Sequence, residues 1–229
     1  MKTLIKELPE MEKICAEKVR QLLKEKPGSV LALTAGRTTE GLYALLGDMC
    51  RRGELSFREA KIFAVTEYVG GEEADSCRSI LKRQLIDHTD LPEGNFFVPR
   101  EQEPEKYDGL IEAAGGIDLC ILGIGINGHI GYNEPATAFD SLTHIQKLTD
   151  ATHRQYSGGE RHLTEYALTM GIKTIVSSRE IFLLASGPEK ADAVFKMIYG
   201  RTDSYIPAAF LQIPLEVTVC ADPAAAAKL

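Results

Sequence analysis

Short, continuous apolar runs alternate along the chain with longer stretches whose apolar residues share one helical face. The short runs are Val30–Thr34, Lys61–Val65, Phe96–Val98, Ile117–Leu122, Ile181–Ala185 and Val217–Cys220. Their length and continuity predict strands covered on both faces. Leu8–Lys26 predicts a helix. Pro9 stands at its start, Cys15, Val19, Leu22 and Leu23 form one face, and Pro27-Gly28 stops it. Leu42, Leu45, Leu46 and Met49 mark a second helix, and Asp75–Asp87 a third with Ile80, Leu81 and Leu85 inward. Glu105–Ala114, Pro188–Tyr199 and Pro223–Lys228 complete the helical set.

Strands alternating with helices predict an α/β fold. It is a doubly wound, mostly parallel sheet in three layers, a single domain over residues 1–229. In such a sheet, ligands bind beyond the carboxyl ends of the strands, where the strand order reverses. The loops after Thr34, Val65, Leu122 and Ala185 are therefore the ones to read for chemistry.

Composition narrows the partners. Lys+Arg 26 against Asp+Glu 33 gives a formal net charge of −7, which disfavours nucleic acid or an anionic membrane as partner. A bound anion would have to be held by a few local donors. The five cysteines, Cys15, Cys50, Cys77, Cys120 and Cys220, form no C-x-x-C pair. That argues against a disulfide framework or zinc ribbon and for reduced thiols. The opening MKTLIKELPEMEK lacks the apolar centre of a secretory signal, and no apolar run approaches a membrane span. The expectation is a soluble, cytoplasmic protein.

The loop after IDLCIL spells G-x-G-x-x-G with Gly123, Gly125 and Gly128. A dinucleotide site would need the third glycine to open an apolar helix. Here His129-Ile130-Gly131-Tyr132-Asn133-Glu134-Pro135 follows, a poor helix former. The glycines read better as a cradle of N–H groups for a small oxyanion. Within the same loop, His129 and Glu134 have the makings of a general acid/base relay, since a carboxylate orients an imidazole and favours its charged form. The bland alternative has His129 donating to a loop carbonyl and Glu134 capping a turn.

Two further loops are candidates for an anion. In Ala35–Thr39, Gly36, the Thr38 hydroxyl and the N–H groups of the next helix can hold a phosphate, with Arg37 adding charge; an ordinary turn capped by a threonine fits as well. Lys190 opposes the dipole in the first turn of its helix, a conflict that an anionic ligand would remove. A solvated surface lysine is the alternative.

These residues carry a resemblance. Gly116–Pro135 (GIDLCILGIGINGHIGYNEP), Phe139–Leu148, Ala167–Ile175 (ALTMGIKTI), Arg179–Lys190 and Ile206–Gln212 resemble the glucosamine-6-phosphate deaminase family. That family is related to galactosamine-6-phosphate isomerase and, more distantly, to 6-phosphogluconolactonase. The resemblance implies a Rossmann-like sheet and an enzyme that opens a hexosamine 6-phosphate ring, isomerises aldose to ketose and releases ammonia. It implies a small sugar phosphate as partner and no metal or organic cofactor, and leaves open a monomer or a homo-oligomer. By position, His129 resembles the ring-opening acid/base, with Glu134 and Asn127 as orienting groups. Asn127 stands where many members carry Asp, although similar deaminases have Asn. Gly36, Thr38, Gly123, Gly125 and Lys190 match phosphate- and sugar-binding positions.

Three departures stand out. The family's D-E-Y is here Thr66-Glu67-Tyr68, so the base that moves a proton between C2 and C1 is missing. A threonine hydroxyl is too weak an acid to stand in for a carboxylate. Glu67 should point to the other side of the strand, and Glu72, Glu73 or Asp75 would need a rebuilt loop. Second, Arg37 occupies a family glycine, either filling part of the sugar site or making a new phosphate contact. Third, the segment from Thr152 to Tyr166 is altered, with Arg154 and Arg161 as candidates for the family's phosphate arginine, or Arg37 in their place. The leading reading is a hexosamine 6-phosphate deaminase-isomerase. The alternatives are altered chemistry on the same scaffold and a non-catalytic sugar-phosphate binder.

Overall fold

The structure, a computed structural model, describes residues 1–70, 73–156 and 164–229, of which 154–156 by backbone alone. The chain begins with β1 (Lys2–Ile5), α1 (Leu8–Glu25), β2 (Val30–Leu33), α2 (Glu40–Arg51), β3 (Lys61–Ala64) and β4 (Thr66–Tyr68). It continues through α3 (Cys77–Gln84), β5 (Phe96–Phe97), α4 (Glu105–Ala113), β6 (Leu119–Gly123), β7 (His144–Lys147) and α5 (Asp150–Tyr156). β8 (Tyr166–Thr169), α6 (Ile172–Val176), β9 (Glu180–Ala185), α7 (Ala191–Tyr199) and β10 (Val217–Ala221) close it.

Seven strands form one sheet in the order β1-β10-β9-β6-β2-β3-β5, and every pairing in it is parallel. Alternate residues serve opposite faces, as the period of a strand dictates. Val30, Ala32, Cys120, Leu122 and Leu183 pack with α4, α6 and α7. Leu31, Leu33, Leu119, Ile121 and Leu184 pack with α1, α2 and α3. Burial on both faces is why these strands read as unbroken apolar runs. The result is the three-layer doubly wound sheet expected from the sequence.

The strand order reverses between β2 and β6: β2, β3 and β5 run outward on one side and β6, β9 and β10 on the other, with β1 added at that far edge. The crevice between the loops leaving these two strands is therefore the natural ligand position.

Several features differ from the sequence reading, beginning with the mostly exposed edge strand β1 and the short helices α5 and α6, which no apolar pattern marked. A second, antiparallel sheet, β4-β8-β7, stands beside the main one; its strands have three or four residues, and β7 alternates in exposure, so no apolar run marked them. Pro223–Lys228 forms turns rather than a helix. Its bonds mix spacings, with Ala226 N–H donating to Asp222 O and Leu229 N–H to Ala226 O, so no regular ladder propagates. The helix expected over Asp75–Asp87 is regular only from Cys77 to Gln84, with tighter turns before and after it. All five cysteines lack a disulfide. Among the described residues, no helix is long and apolar enough to cross a membrane, and no cluster of three or more His, Cys, Asp or Glu side chains could hold a metal ion.

Candidate active site

All four loops singled out in the sequence meet at one cavity of about 370 Å³ above the β2–β6 crevice. Gly36, Arg37 and Thr38 come from the loop after β2, and Thr66 from the start of β4. Gly123 comes from the end of β6 and His129 from the loop after it, and Lys190 from the loop after β9.

His129 is buried, and the turn that holds it explains the glycines. Gly125 N–H donates to His129 O at 2.9 Å, and Gly128 adopts φ 83°, where a side chain would also strike Ile206. A Cβ on Gly125 would lie 2.3 Å from His129 Cε1, so the imidazole rests flat against that glycine. Gly125, expected to face the ligand, instead backs the ring and is absent from the cavity wall. After Gly128 the chain makes turns and a short bridge between Ile130 and Asn133 rather than a helix.

Behind His129 lies a closed polar network. His129 Nδ1 is 3.1 Å from Thr152 Oγ1, whose hydroxyl donates to Glu134 Oε1 at 2.5 Å. Glu134 also accepts from Asn127 Nδ2 at 2.6 Å and from the N–H and hydroxyl of Thr149, both at 3.1 Å. Asn127 Oδ1 in turn accepts His129 N–H at 3.2 Å. Burial by itself would raise the Glu134 carboxyl. The nearby charge of a protonated His129, with the hydrogen bonds from Thr152 and the Thr149 N–H, outweighs it and holds the group at about 2. The carboxylate is thus ionised and purely an acceptor. Nδ1 meets a side-chain hydroxyl rather than a loop carbonyl, and Glu134 serves both the turn at Thr149 and the network behind the histidine.

The N-E-P segment is fastened from below by the second sheet. Asn133 Nδ2 donates to Ile130 O at 2.9 Å and Met170 O at 2.8 Å, while Tyr132 N–H donates to Thr169 Oγ1 at 3.0 Å. This pairs the ALTMG stretch with the loop that carries the histidine.

At the other end of the cavity the chemistry is cationic. Lys190 is only 6% exposed, and among the described residues no carboxylate lies within ion-pair distance of it. Burial pushes its ammonium down to about 8; Glu189 opposes that shift and the neighbouring charge of Arg37 adds to it. The solvated-lysine alternative therefore fails. Two cations facing one cavity, neither in an ion pair among the described residues and with exposed Glu189 the one lining carboxylate, make a site for an anion. Thr39 does not cap α2: its hydroxyl lies 3.2 Å from Gly36 O and 3.3 Å from Thr34 O, leaving the first N–H groups of α2 without a side-chain cap. Arg37 is exposed at the rim.

The Lys190 loop has a support that sequence reasoning missed. Asp222 accepts from Ser186 Oγ at 2.6 Å, Gly187 N–H at 2.9 Å and Ala225 N–H at 2.7 Å. Gly187 has φ 99°, and a Cβ there would meet the Glu189 carboxylate at 2.5 Å. Thr149 and Thr152 were missed likewise.

Position 66 is buried threonine, with its hydroxyl 3.4 Å from Cys77 Sγ. Glu67 points away, accepting from the N–H groups of Cys77 at 2.8 Å, Arg78 at 2.9 Å and Tyr68 at 2.7 Å. Glu73 and Asp75 lie off the cavity, and Glu72 falls outside the described residues. Among the described lining residues, Glu189 supplies the one carboxylate. Arg161 also lies outside the described residues, and Arg154 is placed only as backbone in α5.

Known proteins resemble this chain over its whole length. The model of the family described as glucosamine-6-phosphate isomerases/6-phosphogluconolactonase matches residues 6–219. A glucosamine-6-phosphate deaminase of Hahella chejuensis is 40% identical, covering 100% of this chain and 92% of its own. One of Halalkalibacterium halodurans is 38% identical, covering 98% and 96%. Among solved structures, a monomeric glucosamine-6-phosphate deaminase superposes with TM-score 0.95 at 35% identity, covering 100% of both chains. A 6-phosphogluconolactonase from Thermotoga maritima shares the fold with TM-score 0.73 at 22% identity, covering 96% of this chain and 97% of its own. The chain therefore belongs to the glucosamine-6-phosphate isomerase/6-phosphogluconolactonase family.

Proposed function

We propose that this protein is an enzyme of amino-sugar phosphate metabolism. It would convert a hexosamine 6-phosphate and water to a ketose 6-phosphate and ammonia in the cytoplasm. The observation that carries the reading is the juxtaposition in one cavity of a buried, carboxylate-backed histidine and an unpaired cationic end. The full-length relatives at 38–40% identity named for glucosamine-6-phosphate deamination support it.

In this reading Lys190, Arg37, Gly36 and Thr38 take the phosphate, and the sugar lies over Gly123 toward His129. Ring opening moves the anomeric hydroxyl proton to His129 Nε2 and delivers a proton to the ring oxygen as the C1–O5 bond breaks. Histidine suits both directions of transfer. Glu134 and Asn127 hold the ring for the exchange.

The next step, proton transfer from C2 to C1, needs a base that Thr66 cannot supply. A second reading follows from that residue: ring opening and binding persist while deamination is slow or replaced by other chemistry on a sugar phosphate. The two readings separate in one experiment. Ammonia and ketose phosphate are measured with glucosamine and galactosamine 6-phosphates, beside thermal shifts with each sugar. Equimolar ammonia and ketose support deamination; a thermal shift without ammonia supports the second reading.

A further inference from the structure

The contact between histidine and carboxylate in this network is indirect. His129 Nδ1 and Glu134 Oε2 are 3.7 Å apart, beyond hydrogen-bonding distance. Thr152 Oγ1 stands between them, 3.1 Å from the nitrogen and 2.5 Å from Glu134 Oε1. Thr152 is fully buried, so water does not compete for either contact. We infer that Thr152 is a positioning residue that fixes the proton of His129 on Nδ1 and turns a basic Nε2 toward the cavity. The functional part of this inference rests on the ring-opening role proposed for His129; the tautomer does not.

The available protons fix the tautomer. A hydroxyl has one proton to donate and lone pairs to accept with. Glu134 is ionised and can only accept, so the Thr152 proton is committed to it. The Thr152 oxygen then offers Nδ1 only a lone pair, and Nδ1 must be the N–H partner. The position of Thr152 is set in turn by the start of α5. Thr149 Oγ1 accepts from Thr152 N–H at 3.4 Å while donating to Glu134 Oε2 at 3.1 Å. One carboxylate thereby orders both the turn and the hydroxyl that reads the imidazole. Without the hydroxyl, Nδ1 would face a methyl group and a carboxylate out of reach, and the neutral ring would lose its preference for one tautomer.

The test uses nitrogen chemical shifts of the neutral His129 ring in the whole protein, with no substrate present. The wild type should show a protonated Nδ1 and a bare Nε2. Thr152→Val, which keeps the shape and removes the hydroxyl, should shift the ring toward the Nε2–H form, and Thr152→Ser should restore the wild-type pattern. In turnover, Thr152→Val should lower kcat by about a hundredfold with KM nearly unchanged, and Thr152→Ser should stay within a few-fold of wild type. A wild-type ring protonated on Nε2 would overturn the inference even if the valine variant fails to fold. So would a valine variant with the wild-type tautomer. Absence of ammonia release by the wild type would count against the deaminase reading and leave the tautomer result standing.

Discussion

At the residue scale, Gly125 and Lys190 show two opposite ways of serving the cavity. Gly125 leaves room: its Cα is covered by the His129 imidazole, and its backbone needs no glycine-only conformation. Gly125→Ala should therefore fold normally but displace the ring. A loss in kcat of about a hundredfold or more is expected, since small misplacements of a reacting group are costly. An alanine variant with wild-type kcat would show that the ring does not need that space. Lys190 imposes a cost instead. Its folded pKa of about 8 lies below the ordinary 10.5, so the unfolded chain binds more protons between those values and stability rises with pH across that window. At pH 7 the penalty is of the order of 3 kcal/mol. Lys190→Met should accordingly stabilise the ligand-free protein at pH 7 by up to that amount, with the advantage shrinking from about pH 8 upward and gone above about pH 10.5. It should also abolish inorganic phosphate binding. Denaturant titrations at pH 7 and pH 11, beside phosphate titrations, check both signs.

At the element scale, the fold was legible wherever a strand is covered on both faces, because burial leaves an unbroken apolar run. β2, β3, β6, β9 and β10 fall within a residue or two of the expected ranges. The second sheet was not legible: β7 and β8 are short, and β7 alternates between half-buried and exposed. The site divides the same way. His129, Glu134 and Asn127 sit in one loop and announce themselves by residue type and spacing. Thr152 is 23 residues from His129 and 18 from Glu134, and nothing local distinguishes it from a structural threonine. Asp222 is hidden for the same reason, being brought to Ser186 and Gly187 only by the pairing of β9 with β10. Asp222→Ala should leave the Ser186 hydroxyl and the Gly187 N–H without their acceptor. A loss of about 2 kcal/mol in stability is expected, with a rise in KM because Lys190 follows directly on that loop. Urea unfolding and steady-state kinetics would check this, and an unchanged KM would detach the loop from the substrate.

At the scale of the whole molecule, an acidic chain of net charge −7 gathers buried Lys190 and rim-exposed Arg37 at the point where the strand order reverses. The sheet brings four separate loops there, so the cationic end and the histidine face one cavity although they lie far apart in sequence. The same geometry isolates the wall at Thr66: Glu67 is committed to the first N–H groups of α3, and the described loop beyond it sends no carboxylate inward. Thr66→Asp should raise ammonia release by about tenfold or more if that base alone is wanting. No gain would mean that proton transfer between C2 and C1 is arranged differently here.

In the proposed reaction His129 drives deamination of a hexosamine 6-phosphate held by the Lys190 end. It is tested most directly by ammonia release from glucosamine 6-phosphate by the wild type and His129→Ala side by side. The prediction is release by the wild type and a fall in kcat of about a hundredfold or more in the variant, with sugar-phosphate binding kept within about tenfold. Equal rates in the two proteins, or no release by the wild type, would contradict it.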